Sequence, residues 1–160
     1  MEICAPSRSL GEHDRRRAAS ACVLFCQVKQ LSAALAVLAI LVEHKRITSE
    51  QVSNMLAQCA TRATAMRDAV RRIEMGRLDS WYELDDCLDR IANALRRETR
   101  ALECGEQSAV AAAAAAYVAG RRLGQSLWLL EMQPEGAHPT ALARELFAPI
   151  GGWGHGHEHD

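Results

Sequence analysis

Residues 21–42 read ACVLFCQVKQLSAALAVLAILV and residues 52–73 read VSNMLAQCATRATAMRDAVRRI. In the first stretch Ala21, Leu24, Val28, Leu31, Leu35, Leu38 and Val42 follow one another at alternating steps of three and four residues. In the second, Val52, Leu56, Cys59, Ala63, Met66, Val70 and Ile73 do the same. Such spacing lays a single apolar seam along each of two helices. The polar link from Glu43 to Thr48 is short enough to turn the second helix back against the first. The pattern predicts an all-α fold, an antiparallel helical bundle grown around this hairpin.

Upstream of the hairpin, residues 1–12 contain Pro6, Ser7, Ser9 and Gly11 and read as a flexible leader, with the first helix running from near His13 to about His44. Between Leu35 and Val42 that helix is apolar on almost every side, Val37 and Ile40 lying off the seam. More than one neighbouring helix is therefore expected to cover it. The second helix opens at Thr48 with Gln51 three residues on, the spacing of a capping box, and Gly76 is its expected stop. Gln58, Thr61, Arg62, Arg67 and Arg71 leave one of its faces polar.

A third helix is expected to open at Ser80, with Glu83 in the capping relation, and to end before Gly105. Leu84, Leu88, Ile91, Leu95 and Leu102 line one side of it. Its acids (Asp85, Asp86, Asp89) come early and its arginines (Arg96, Arg97, Arg100) late, which complements the helix dipole. The fourth helix, about 106–132, carries Ala116, Gly120 and Gly124 at steps of four, a smooth ridge that another helix can approach closely. Leu123, Leu127, Trp128 and Leu130 add bulk beneath it. Pro134 to Pro139 break the periodicity, a short fifth helix with Leu142 and Leu146 follows, and three glycines open a flexible tail. The predicted organisation is thus a leader over 1–12, a bundle of four main helices over 13–132, a loop and short helix over 133–150, and a His-rich tail over 151–160.

With 19 basic against 20 acidic residues and 4% aromatics, neither a phosphate-tracking surface nor a base-stacking one has compositional support, so no nucleic-acid partner is expected. The continuous apolar block from Leu31 to Val42 falls short of the ~20 residues a bilayer demands, and no membrane partner is expected. Six cysteines without a C-x-x-C pair fit reduced, packed thiols and a cytoplasmic location. No serine–histidine–aspartate order, phosphate loop or His-Glu-x-x-His pattern occurs, so no enzyme activity is expected.

The strongest ligand-bearing pattern is the end of the chain, Gly-His-Gly-His-Glu-His-Asp. His155, His157 and His159, with Glu158 and Asp160, offer imidazole and carboxylate donors suited to nickel, zinc or copper(II). Cys22 and Cys26 lie one turn apart on the side of the first helix away from the seam, where a third or fourth helix is expected to bury them. Cys59 sits in the seam and reads as core.

Residues 21–97 resemble the dimerisation and phosphoacceptor hairpin of bacterial sensor histidine kinases. The resemblance is carried by Arg62, Ala65 and Met66 in an Arg-x-x-Ala-Met pattern and by Glu83-Leu84-Asp85-Asp86-Cys87-Leu88 opening the next helix. It implies a dimerising hairpin and a place in bacterial signalling. The chain departs from that family at the phosphoaccepting histidine: counting back from Thr48 reaches Phe25 to Gln30, where no histidine stands. His13 lies about 24 Å further up a helix from Lys29. The nucleotide-binding domain has no counterpart either. The expected function is a non-catalytic helical interaction or regulatory module, a homodimer with a possible protein partner contacted through the polar faces of the second and third helices. The rival expectation is a metal sensor, storage or delivery protein that works through the tail.

Overall fold

Capping chemistry ends α1, α2 and α3. In a computed structural model that describes residues 4–73 and 79–131, helix α1 spans Cys4–Glu43, α2 Ser49–Arg72, α3 Asp79–Glu103 and α4 Ala109–Glu131, with no strand among the described residues. Lys45 closes α1 in the left-handed region, φ 55°, with the Arg46 amide donating to the Leu41 carbonyl (2.8 Å) and the Lys45 amide to Val42 (3.0 Å). Gly105 closes α3 in the same way, φ 73°, with Glu106 donating to Ala101 (2.8 Å) and Gly105 to Leu102 (3.2 Å). Both are Schellman terminations. Thr48 caps α2 as its sequence predicts: the Gln51 amide donates to Thr48 Oγ1 (3.2 Å) and the Thr48 amide to Gln51 Oε1 (2.8 Å). Ser108 caps α4 by accepting from the Ala111 amide (3.1 Å).

Three boundaries differ from expectation. Helix α1 starts at Cys4, not near His13. Pro6 then lies in the first turn, where backbone amides have no helical acceptor and a proline is harmless. Helix α2 ends at Arg72, with Ile73 extended at its C-cap, before Gly76 is reached. Helix α3 starts at Asp79, which puts Ser80 inside the first turn and not at the cap. The short fifth helix and the His-rich tail lie outside the described residues.

The two seams meet in the interior. Every seam residue from Ala21 to Val70 is buried, and Ile73 is half-buried against the same core. Trp81, Leu84, Leu88, Ile91 and Leu95 enter from α3, and Ala112, Ala116, Ala119, Leu123, Leu127 and Leu130 from α4. The four helices close a ring of contacts in the order α1, α2, α3, α4 and back to α1, while no Cα of α1 comes within 8 Å of α3. Contact is most extensive between α2 and α3 and between α1 and α4.

The small-residue ridge of α4 lies on α1 within the same chain. A Cβ on Gly120 would stand 3.1 Å from Leu35 Cβ and 3.1 Å from the Ser32 carbonyl oxygen, so any side chain there would have to push α1 away by a few tenths of an ångström. The Ser32 hydroxyl donates to the Gly120 carbonyl at 2.9 Å, tying the two backbones together. Trp128, expected among the bulk beneath the ridge, is instead 58% exposed, because it projects from the opposite side of α4 to Leu123, Leu127 and Leu130.

Candidate functional site

Among the described residues, nothing covers one side of α1. Val37 is 47% exposed, Ile40 53% and Val23 58%. The reason is geometric: α2 and α4 take the two flanks of α1, no Cα of α3 approaches it, and its outward side meets none of them. Cys22 is half-buried and Cys26 is exposed, so the two thiols are not enclosed between helices. Burial and the neighbouring Cys26 raise the Cys22 thiol pKa above its ordinary value. Counting only the block from Leu31 to Val42 also undervalues this helix. Val23, Leu24, Phe25 and Val28 carry its apolar character across Gln27, Lys29 and Gln30. The stretch Ala19–Glu43, 25 residues containing an 18-residue window of mean hydropathy 1.8, is long and apolar enough to cross a membrane by length and composition, a third of that window being buried inside the bundle.

Part of the polar faces of α2 and α3 is taken up by each other, while Gln58, Thr61 and Arg62 on α2 and Arg97 and Arg100 on α3 stay exposed. Arg67 pairs with Asp89 and, at 3.1 Å, with Asp68 on its own helix. Arg71 Nε reaches Asp85 at 3.0 Å, Arg96 donates to Thr64, and the Ser53 hydroxyl donates to Glu103 at 3.0 Å. Hydrogen bonds to these aspartates raise the pKa values of Arg67 and Arg71. In the sequence Asp85 and Asp89 are fully accounted for by the α3 dipole, and nothing local hints that they also latch α2. Arg90 and Asp86 make only an exposed pair within α3 at 2.9 Å.

Between α3 and α4 runs a groove of about 820 Å³, with Glu83, Asp86, Arg90, Arg97 and Arg122 along its walls and the half-buried Cys87 at its side. Its acids, Glu83 and Asp86, come from the first turns of α3, and its arginines from further along α3 and from α4. Burial raises the pKa of the Cys87 thiol, against a hydrogen bond from Ser126 that lowers it. Trp81, fully buried near the start of α3, went unnoticed as a core residue in the sequence pattern, and its indole N–H has no partner among the described residues.

At the kinase-like positions, Arg62 and Ala65 are exposed and Met66 is buried in the core. Where the family places its histidine, Phe25 is buried and Lys29 lies over its ring, 4.9 Å from the centroid. No group of three or more histidine, cysteine, aspartate or glutamate side chains able to hold a metal occurs among the described residues. His155, His157, Glu158, His159 and Asp160 lie outside them. No family model, curated protein or solved structure matches this chain.

Proposed function

We propose that this chain is a non-catalytic helical interaction module of the cytoplasm, an antiparallel four-helix bundle that works as a homodimer. The observation that carries this reading is the apolar outer surface: Val23, Val37 and Ile40 on α1 and Val110, Tyr117 and Trp128 on α4 are all large, apolar and exposed. Large apolar side chains left exposed along a helix face offer a surface that a partner can cover. The antiparallel arrangement is supported on α2 and α3 by their pairs, since Ser53, Thr64, Arg67 and Arg71 meet Glu103, Arg96, Asp89 and Asp85, rising numbers against falling ones. Because those polar side chains already bind one another, the apolar face of α1 is a better contact surface than the polar faces of α2 and α3. The resemblance to sensor kinases points to bacterial signalling, and the balanced charge gives no reason to invoke nucleic acid.

A protein partner suits α1 better than lipid. Full insertion of α1 would strip it from α4, exposing the Gly120 contact and Leu24, Leu31 and Leu35. Light scattering at tens of micromolar tests the reading: a dimer mass is expected, and a monomer overturns it.

The tail supports a second reading, in which His155, His157 and His159, with Glu158 and Asp160, capture a divalent transition metal. Titration with nickel or zinc is then expected to change thermal stability or assembly, and removal of residues 154–160 to abolish the response. Binding that leaves both untouched reduces the tail to an incidental chelator.

A further inference from the structure

The outward side of α1 repeats the arithmetic of its inward side. Val23, Cys26, Gln30, Ala33, Val37 and Ile40 follow one another at steps of three and four, and all six are exposed. Helix α1 therefore carries two seams on opposite faces, one used by the bundle and one unmatched among the described residues. We propose that this second seam is the homodimer interface and that α1 packs on α1 of a second copy in antiparallel sense. The proposal rests on the dimeric reading above and adds to it the surface, the register and the orientation.

Charge complementarity sets the register. Along one flank of the outer seam stand Lys29, Ala36 and Glu43, one heptad apart. When Val37 meets the partner's Ala33 and Ile40 meets the partner's Gln30, the same alignment brings Lys29 to the partner's Glu43 and Glu43 to the partner's Lys29. Ala36 meets the partner's Ala36 at the two-fold axis. The interface is then isologous, each residue class answering its complement, which is the requirement for a closed dimer. In a parallel pair the flank would set Lys29 opposite the partner's Ala34, and both ion pairs would be lost. The central layers carry small side chains, Ala33 and the flanking Ala34 and Ala36, so the two helices can approach closely. Gln30 within the seam weakens the association and penalises other registers.

The seam from Val23 to Ile40 is about 26 Å long and one helix face wide, at the small end of specific interfaces. A seam this short, with Gln30 within it, favours a reversible dimer over a permanent one. The full chain is tested by sedimentation velocity over a concentration series, with thermal melts to confirm that each variant stays folded. Val37→Glu and Ile40→Glu are each expected to weaken dimerisation at least tenfold with little change in Tm, since both side chains already face solvent. Lys29→Glu and Glu43→Lys are each expected to weaken it several-fold, and the double variant K29E/E43K to restore it. A dimer indifferent to Val37→Glu and Ile40→Glu overturns this interface while leaving the dimeric reading standing. Failure of the double variant to recover overturns the antiparallel register. A monomeric wild type overturns both readings. Flotation of the wild type with phosphatidylcholine–phosphatidylglycerol vesicles, lost in Val37→Glu, overturns the proposal in favour of a lipid surface.

Discussion

Lys45 and Gly105 end two helices with the same hydrogen-bond motif at φ 55° and 73°, yet only one of them is the residue that motif prefers. A side chain in the left-handed region costs about 1–2 kcal/mol, partly offset by the freedom glycine has in the unfolded chain. Lys45→Gly is therefore expected to stabilise the protein by about 0.5–1 kcal/mol. Gly105→Ala is expected to destabilise it by about 1 kcal/mol, although a Cβ there meets nothing within 4 Å and the cost is conformational alone. Chemical denaturation of the two variants checks both signs. The cysteines give a second residue-level test. Cys59 is buried, and desolvation raises its thiol pKa, so little thiolate forms near neutral pH. Cys26 and Cys104 are exposed. Alkylation at pH 7.5, followed by mass spectrometry, is expected to modify Cys104 early and Cys59 only on unfolding. Gly105 could be read from the chain as a helix stop because its chemistry is local. Lys45 could not, since nothing in its own side chain announces a positive φ.

Among the elements, α4 depends on what its glycine omits. Gly120→Leu forces side-chain atoms into the space held by Leu35 and the Ser32 carbonyl, and α4 must then move off α1. A loss of at least about 1–3 kcal/mol is expected in thermal or denaturant unfolding. The ridge was visible in the sequence because its glycines recur at helical spacing, though which helix it meets depends on the order in which the four helices close. The two seams were visible for the same reason, periodicity being a property of each helix by itself. The outer side of α1 was not: Val37 and Ile40 announce that they are apolar, but whether a neighbour covers them depends on where α2 and α4 sit. The pairing of Arg67 with Asp89 and of Arg71 with Asp85 was hidden by a sufficient local explanation, since the same aspartates already suit the start of α3.

Over the molecule as a whole, the contacts divide the bundle into two broad pairings, α2 with α3 and α1 with α4, joined by lighter contacts between α3 and α4 and between α1 and α2. One pairing is local and the other is not: Ser53 and Glu103 are 50 residues apart, whereas the Ser32–Gly120 hydrogen bond spans 88. Native-state hydrogen exchange is expected to report the two pairings as separate cooperative units, and a single uniform opening across all four helices would contradict that. The hydrogen bond from Ser32 to Gly120 also bears on the order of assembly. Joining α1 to α4 encloses the whole intervening chain, so its loop-closure entropy is offset only after α2 and α3 have already shortened the effective loop. Substitutions at Ser32 and Gly120 should accordingly speed unfolding and leave the folding rate nearly unchanged, while those at Leu56 and Leu88 should slow folding. The glycine contact that lets α1 and α4 approach so closely in space then makes them the last to meet in time.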